Sequence, residues 1–493
     1  MASPIHRLRA RRLCLLASAV IGVAAAGCPA LAATPAPISA TETSASATAP
    51  SDTQPQSPQT SRQRLGPTSP VVRTPDWRNH LFAALGGQAT NLVIWLPSRY
   101  LFNSDFAYIS TTSIRRNLST SVAFDDDRFL TNQFGHPYQG GLYHAFARAQ
   151  GLSFTTSALY VLLGNVTWEL LMESELPSIN DLITTQVGGI AWGEVTWRLA
   201  SRVLDNNATG AERFARELTA LVIQPGLGLT RLVTGRAFAS GPAPRMNDLS
   251  VRLQAGTVGV RRDDGLRGVG LNARLEAKQG HVEKLPANFG AFEIYEAQLG
   301  VVFTGPAQQP LRRADLHISG LLGGARLSRN GRQYGVFGAF IDFDFFASNV
   351  LDLGTSGVGP GLALTLSPSS KWRFDVETMM LVHFGGVTAE YTSIANRNYD
   401  FGVGLAAKVD MRLTRVGLGE LFLRANRYEF KIVSGRSGRQ FTGLLNGGVR
   451  VDLSRRVQLS VSFGLIDSHA RNDGLPAVDA LQRGGELLLG WHM

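Results

Sequence analysis

From about residue 245 onward the chain alternates oily and polar residues with a period of two, in runs that are unusually long. Val457, Leu459, Val461, Phe463 and Leu465 alternate with Gln458, Ser460, Ser462 and Gly464, and Phe401, Val403, Leu405, Ala407 and Val409 alternate with Gly402, Gly404, Ala406 and Lys408. Such a period gives an extended strand one apolar and one polar face. Similar runs lie near residues 249–259, 266–277, 291–303, 312–322, 332–346, 359–367, 371–382, 415–428, 442–453 and 483–493, making about twelve in all. Soluble strands average about 5–6 residues, whereas a tilted strand crossing a bilayer takes about 9–11. The length therefore predicts an α+β chain: a small helical domain followed by a C-terminal antiparallel transmembrane β-barrel of about 12 strands. A secreted β-sandwich is the alternative. The last run ends Glu486 to Met493 with Trp491 near its close, which resembles the terminal signal read by the barrel assembly machinery.

Ahead of the strands the chain divides into three. Arg7, Arg9, Arg11 and Arg12 precede an apolar stretch from Leu13 to Ala26, and Ala30-Leu31-Ala32 offers the small-x-small pattern of a signal-peptidase site. Residues 1–32 are read as an export signal. Ala25-Ala26-Gly27-Cys28 is a rival lipoprotein box, and both cysteines, Cys14 and Cys28, lie within the signal. Cleavage after Ala32 would leave no thiol for a disulfide, a metal or catalysis. Residues 33–75 are Ala, Thr, Ser, Pro and Gln and read as a disordered linker. The formal net charge of +10 forms no basic patch, so no nucleic-acid partner is expected.

Residues 76–240 are read as the helical domain, with helical spacing from His136 to about Phe238, ahead of the barrel at 245–493. Helices are expected from Gly140 to Gln150, from Ser153 or Thr155 to Glu173, from Ile179 to Leu204, and from Gly210 to Val222, stopping near Pro225-Gly226. Gly189-x-x-x-Gly193 is a stripe that lets backbones approach closely. Polar residues interrupt this apolar setting. Glu169 and Glu173 lie one turn apart, Asp181 follows, Glu194 and Arg198 are spaced for an ion pair, and His144 shares a helix face with Arg148. Glu169, Glu173, Asp181, His136 and His144 are the candidate catalytic residues, because carboxylates with a histidine could bind a divalent metal or do acid–base work, like charges brought together raising a carboxyl toward the range where it can hold a proton. None of their spacings is a metal-ligand signature, so no metal or cofactor is expected. The competing reading makes these groups the polar glue of a glycine-rich bundle.

The run Phe124-Asp125-Asp126-Asp127-Arg128-Phe129, with Asn132-Gln133, His136-Pro137-Tyr138, Gly140, Tyr143, Arg148, Gly151-Leu152-Ser153-Phe154, Trp168-Glu169, Glu173, Glu175 to Asp181, Gly188-Gly189 and Gly193-Glu194, resembles the bacterial domain-of-unknown-function family 3943 over about residues 90–205. The resemblance implies an exported protein of Gram-negative bacteria and assigns neither activity nor catalytic residues.

The polar strand faces carry both signs, among them Arg252, Glu276, Arg313, Asp342, Asp344, Lys408 and Arg450, a mixture that cross-links a narrow lumen and favours a closed or narrowly open interior. Two functions remain. One is a structural or transport-type protein of the outer membrane with a periplasmic or membrane-surface helical domain packed at the barrel mouth or partly plugging it. The other is an enzyme acting on lipid or lipopolysaccharide through the carboxylates of that domain. Membrane lipid and the barrel assembly machinery are the expected partners; the sequence names no small-molecule substrate.

Overall fold

The computed structural model describes residues 74–241, 249–265, 267–304, 312–329, 331–391 and 397–492. The export signal, and all of the linker but its last two residues, lie outside them. Twelve strands follow one another around a closed antiparallel barrel, β1 (Leu249–Arg262) to β12 (Val478–His492), and β12 pairs back onto β1. The intervening strands are β2 (Arg267–Gln279), β3 (Tyr295–Thr304), β4 (Arg312–Arg329), β5 (Gln333–Ser348), β6 (Asp352–Ser369), β7 (Trp372–Thr388), β8 (Tyr399–Arg415), β9 (Gly419–Ser434), β10 (Gly438–Asp452) and β11 (Val457–Asn472). Closure leaves no strand edge unpaired, the condition for a sheet to sit in hydrocarbon. The outward face carries Leu253, Leu271, Phe303, Phe337, Met380, Leu405, Val461, Phe463, Leu487 and Trp491, all well exposed.

The inward face is cross-linked. Arg313 of β4 reaches Glu486 of β12 at 2.8 Å, Arg450 of β10 reaches Glu276 of β2 at 2.7 Å, and Lys408 of β8 reaches Asp342 of β5 at 2.5 Å. An inward apolar cluster that includes Val336, Phe340, Leu353, Leu381 and Phe430 fills another part of the lumen. The β2–β3 connection folds into the mouth: Leu285 joins that cluster, and Glu283 pairs with Arg373. A cavity of about 130 Å³ remains between Val258, Arg274, Asp315, Asn446 and Glu486.

The helices are α1 (Trp77–Tyr100), α2 (Thr111–Ser119), α3 (His136–Ala149), α4 (Phe154–Thr167), α5 (Ile179–Ile183), α6 (Gly189–Val203), α7 (Gly210–Ile223) and α8 (Pro225–Val233). Single π turns at Thr131–Gly135, Trp168–Met172 and Thr184–Gly188 link several of them. Ser153 caps α4, accepting from Thr156 N–H at 3.1 Å. The expected helix from Ile179 to Leu204 runs on as helical backbone through the π turn at Thr184–Gly188 to Val203, and Pro225 starts α8 because proline suits a first helical turn. The Gly189-x-x-x-Gly193 stripe packs α6 on Gly140 and Gly141 of α3; a Cβ on Gly140 would collide with the Thr185 carbonyl, and one on Gly189 with the Gly140 backbone. None of the described helices is long and apolar enough to cross a membrane.

Where the helices sit corrects the expectation of a plug or a mouth cap. On β5, Asp342 and Asp344 face the lumen, so the alternating Ile341, Phe343 and Phe345 face outward, yet all three are buried. Helical residues cover them: Trp192 stands 6.0 Å from Phe343 by ring centroids, and Phe134 and Phe129 stand 5.2 Å and 5.6 Å from Phe345. Phe124 meets Phe401 of β8 at 5.7 Å, and Phe154 meets Phe292 at 5.6 Å. The helical domain is docked against the outside of the barrel wall. Its own far side exposes Leu81, Leu85, Leu92, Val93, Leu96, Phe214, Val222 and Val233.

Candidate functional site

Two segments bring the acidic residues together. Residues around Ala123 pair with the turn at Ser178 through Ala123 N–H to the Pro177 carbonyl at 2.9 Å and Ile179 N–H to the Ala123 carbonyl at 2.8 Å. Ser178 then caps the short α5, accepting from Asp181 N–H at 3.2 Å, which fixes Asp181 in the first turn. The π turn at Thr131–Gly135 delivers Asn132, whose amide donates to Asp181, and His136 at the start of α3. The barrel holds this assembly from outside: Arg397 donates to the Asp125 carbonyl at 3.1 Å and Asn398 accepts from Phe129 N–H at 2.9 Å.

The result is a buried acidic cluster around one imidazole. His136 Nε2 lies 3.6 Å from Asp181 Oδ1 and 3.9 Å from Asp127 Oδ2. Asp125 accepts from the Asn180 amide at 2.7 Å. Glu169 accepts from Ser178 N–H at 2.7 Å through one oxygen, while the other is buried with no partner. Glu173 accepts from the Trp168 indole. Among the described residues no lysine or arginine pairs with any of these carboxylates.

This surplus of negative charge shows in the ionisation. Burial, with His136 partly opposing it, pushes the Glu169 carboxyl up to about 8. Burial together with Glu169 raises Glu173, and burial together with Asp125 raises Asp181. Asp125 is held low in spite of its burial by hydrogen bonds from Asp181 and Asn180. His136 is raised, since the loss of water around the ring is outweighed by Asp127, Glu169 and Asp125.

A cavity of about 670 Å³ opens on the cluster. One end is formed by Asp125, Asp127, His136, Glu173, Glu175 and Asp181; the other by Val93, Ile94, Leu142, Phe146 and Leu229. Val93 and Leu229 also belong to the exposed apolar skin, so the apolar end reaches the surface there. The arrangement offers an acid–base set to a polar group and an oily wall to whatever that group is attached to.

His144 is not part of this site. It lies on α3 beyond His136, hydrogen-bonded to Glu194 at 2.9 Å, and Glu194 is also held by Arg148 and Arg198, each at 2.8 Å. Glu194 is fully buried, yet Arg148, His144 and Arg198 pull its carboxyl far below the ordinary range, and burial with Arg148 and Arg198 lowers His144. This is a satisfied structural ion cluster. Four of the five sequence candidates, Glu169, Glu173, Asp181 and His136, do converge. Asp125 and Asp127 were not among them, although the run Asp125-Asp126-Asp127 is the visible signal.

Residues 121–226 match the family model of a domain of unknown function, DUF3943. That match includes every residue of the acidic cluster and the ion cluster around Glu194, whereas α1 precedes it. No curated protein matches the chain. Among solved structures, the NanC porin is similar at 10% identity, covering 49% of this chain and 98% of that one with a TM-score of 0.26. An outer membrane channel from Pseudomonas putida F1 is similar at 14% identity over 50% of this chain and 93% of that one, TM-score 0.28. The beta domain of the Bordetella autotransporter BrkA is similar at 13% identity over 49% and 99%, TM-score 0.22.

Proposed function

We propose that this is an outer-membrane protein whose closed barrel serves as an anchor and scaffold, and whose working site is the cavity of the helical domain, where a membrane amphiphile is bound and its polar group acted on. The single observation that carries this reading is the cavity itself: carboxylates and His136 at one end, an oily wall leading to an apolar surface at the other. The helices α1, α7 and α8 expose apolar side chains, as does the outward face of the barrel, so bilayer lipid is the occupant proposed for this skin. An acyl chain would lie along Val93, Leu142 and Phe146, with its polar group beside Asp127, His136 and Asp181. Transport through the lumen is the weaker reading, because ion pairs and apolar side chains span the interior.

The test is binding of a spin-labelled phospholipid to full-length protein in detergent micelles. Immobilised label is expected with the wild type, and Leu142→Trp, which fills the oily end, should release it. Equal immobilisation by the filled variant would defeat the reading.

A further inference from the structure

The His136 imidazole is nearly fully buried and takes part in no hydrogen bond: Nδ1 has no partner, and Nε2 points between Asp181 and Asp127 at 3.6 Å and 3.9 Å. Those spacings are too long for hydrogen bonds. A buried polar ring that bonds to nothing, aimed at two carboxylates, has the form of a ligand set with its central ion missing. We propose that Asp127, His136 and Asp181 bind a divalent first-row metal ion, Zn²⁺ or Mn²⁺, at the polar end of the cavity. This deepens the amphiphile reading and rests on it only for the identity of the further ligand.

The three donor atoms already lie within 4.8 Å of one another. Bonds of about 2.0–2.2 Å to nitrogen and oxygen bring ligand atoms to roughly 3–3.5 Å apart, a contraction that the half-exposed Asp127 side chain can supply. One imidazole with two carboxylates suits Zn²⁺ or Mn²⁺ better than the all-oxygen set that Ca²⁺ or Mg²⁺ prefers. The support around the ligands is present too, for the Asn132 amide holds Asp181 and Gln133 in turn holds Asn132. Three protein ligands leave positions open toward the cavity, where an ion would accept a water or an oxygen of a polar lipid group.

A second group of the same residue types provides an internal control. His317, Asp342 and Asp344 are as close together in the lumen, but Lys408 pairs with both carboxylates and occupies the cation's place. That group should take no metal.

The experiment is equilibrium dialysis of chelator-treated, full-length protein in detergent against Zn²⁺ and Mn²⁺, with metal counted per chain. One equivalent of at least one ion at micromolar free metal is expected. Asp181→Asn and His136→Gln should each weaken uptake at least about tenfold, while His317→Gln leaves it unchanged. Heat-modifiable migration on gels reports whether each variant has a folded barrel. Failure of the wild type to take up either ion overturns the site, as does undiminished uptake by the folded Asp181→Asn protein. Metal uptake without phospholipid binding upholds the site while removing the amphiphile reading. Phospholipid binding by protein that takes up no metal does the reverse.

Discussion

Two clusters in this molecule use the same residues, one histidine and two aspartates, and differ in what stands between them. In the lumen, His317 Nδ1 contacts Asp344 at 2.7 Å, and Lys408 bridges Asp342 and Asp344. Beside the barrel, His136 faces Asp127 and Asp181, and no lysine or arginine among the described residues pairs with either. The first is a balanced cross-link that joins β5 to β8 and β4 to β5. The second crowds buried carboxyls that no cationic side chain among the described residues pairs with, so that Glu169, Glu173 and Asp181 are pushed toward their protonated forms, an arrangement that costs stability and persists where a ligand compensates. The difference teaches that chemistry is marked here by the charge left over, not by the residue types.

The comparison breaks most visibly at Lys408. Lys408→Met leaves Asp342 and Asp344 uncompensated in the lumen and should cost about 3–5 kcal/mol, read as a lower urea midpoint and less heat-modifiable barrel. The same logic applies to Glu194→Gln, which strands Arg148 and Arg198 in the helical domain. A loss of about 2–4 kcal/mol is expected there, and limited proteolysis should show helices released while the barrel stays resistant.

A smaller effect follows from pH. The folded Glu194 carboxyl sits below its unfolded value, so its contribution is complete above the unfolded value of about 4.5 and is lost as pH falls toward the depressed folded value. Tryptophan fluorescence of the helical domain should therefore be steady from neutral pH to about 5 and change below it. Glu194→Gln should abolish that acid transition. The smallest effect is expected at Asp181→Asn: burial and Asp125 already push that carboxyl toward its neutral form, so an amide of the same shape should change metal-free stability by no more than about 1 kcal/mol. A loss comparable to that at Lys408 would show Asp181 to be structural after all.

The strands were legible because burial on one face repeats every two residues, but their ends were not. The run near 359–367 is only the later part of β6, which already starts at Asp352. Gly354 and Ser356 supply no bulk on its outward face because Gln133 and Gly188 of the helical domain pack there. Helix α1 was not among the expected helices because its apolar residues make no stripe at helical spacing. The docking of the helices on the barrel wall could not be read at all. Ile341, Phe343 and Phe345 look the same in sequence whether lipid or protein meets them. His136 and His144, two turns apart on α3, were indistinguishable until Glu194 claimed one of them.

The central claim is that the cavity beside the barrel works and the lumen does not conduct. Conductance of the full-length protein in planar bilayers tests it most directly. The account predicts a flat baseline from inserted wild-type protein, with steps emerging only in variants such as Arg313→Ala that remove a cross-lumen pair. Stable, ion-selective steps from the wild type would contradict it.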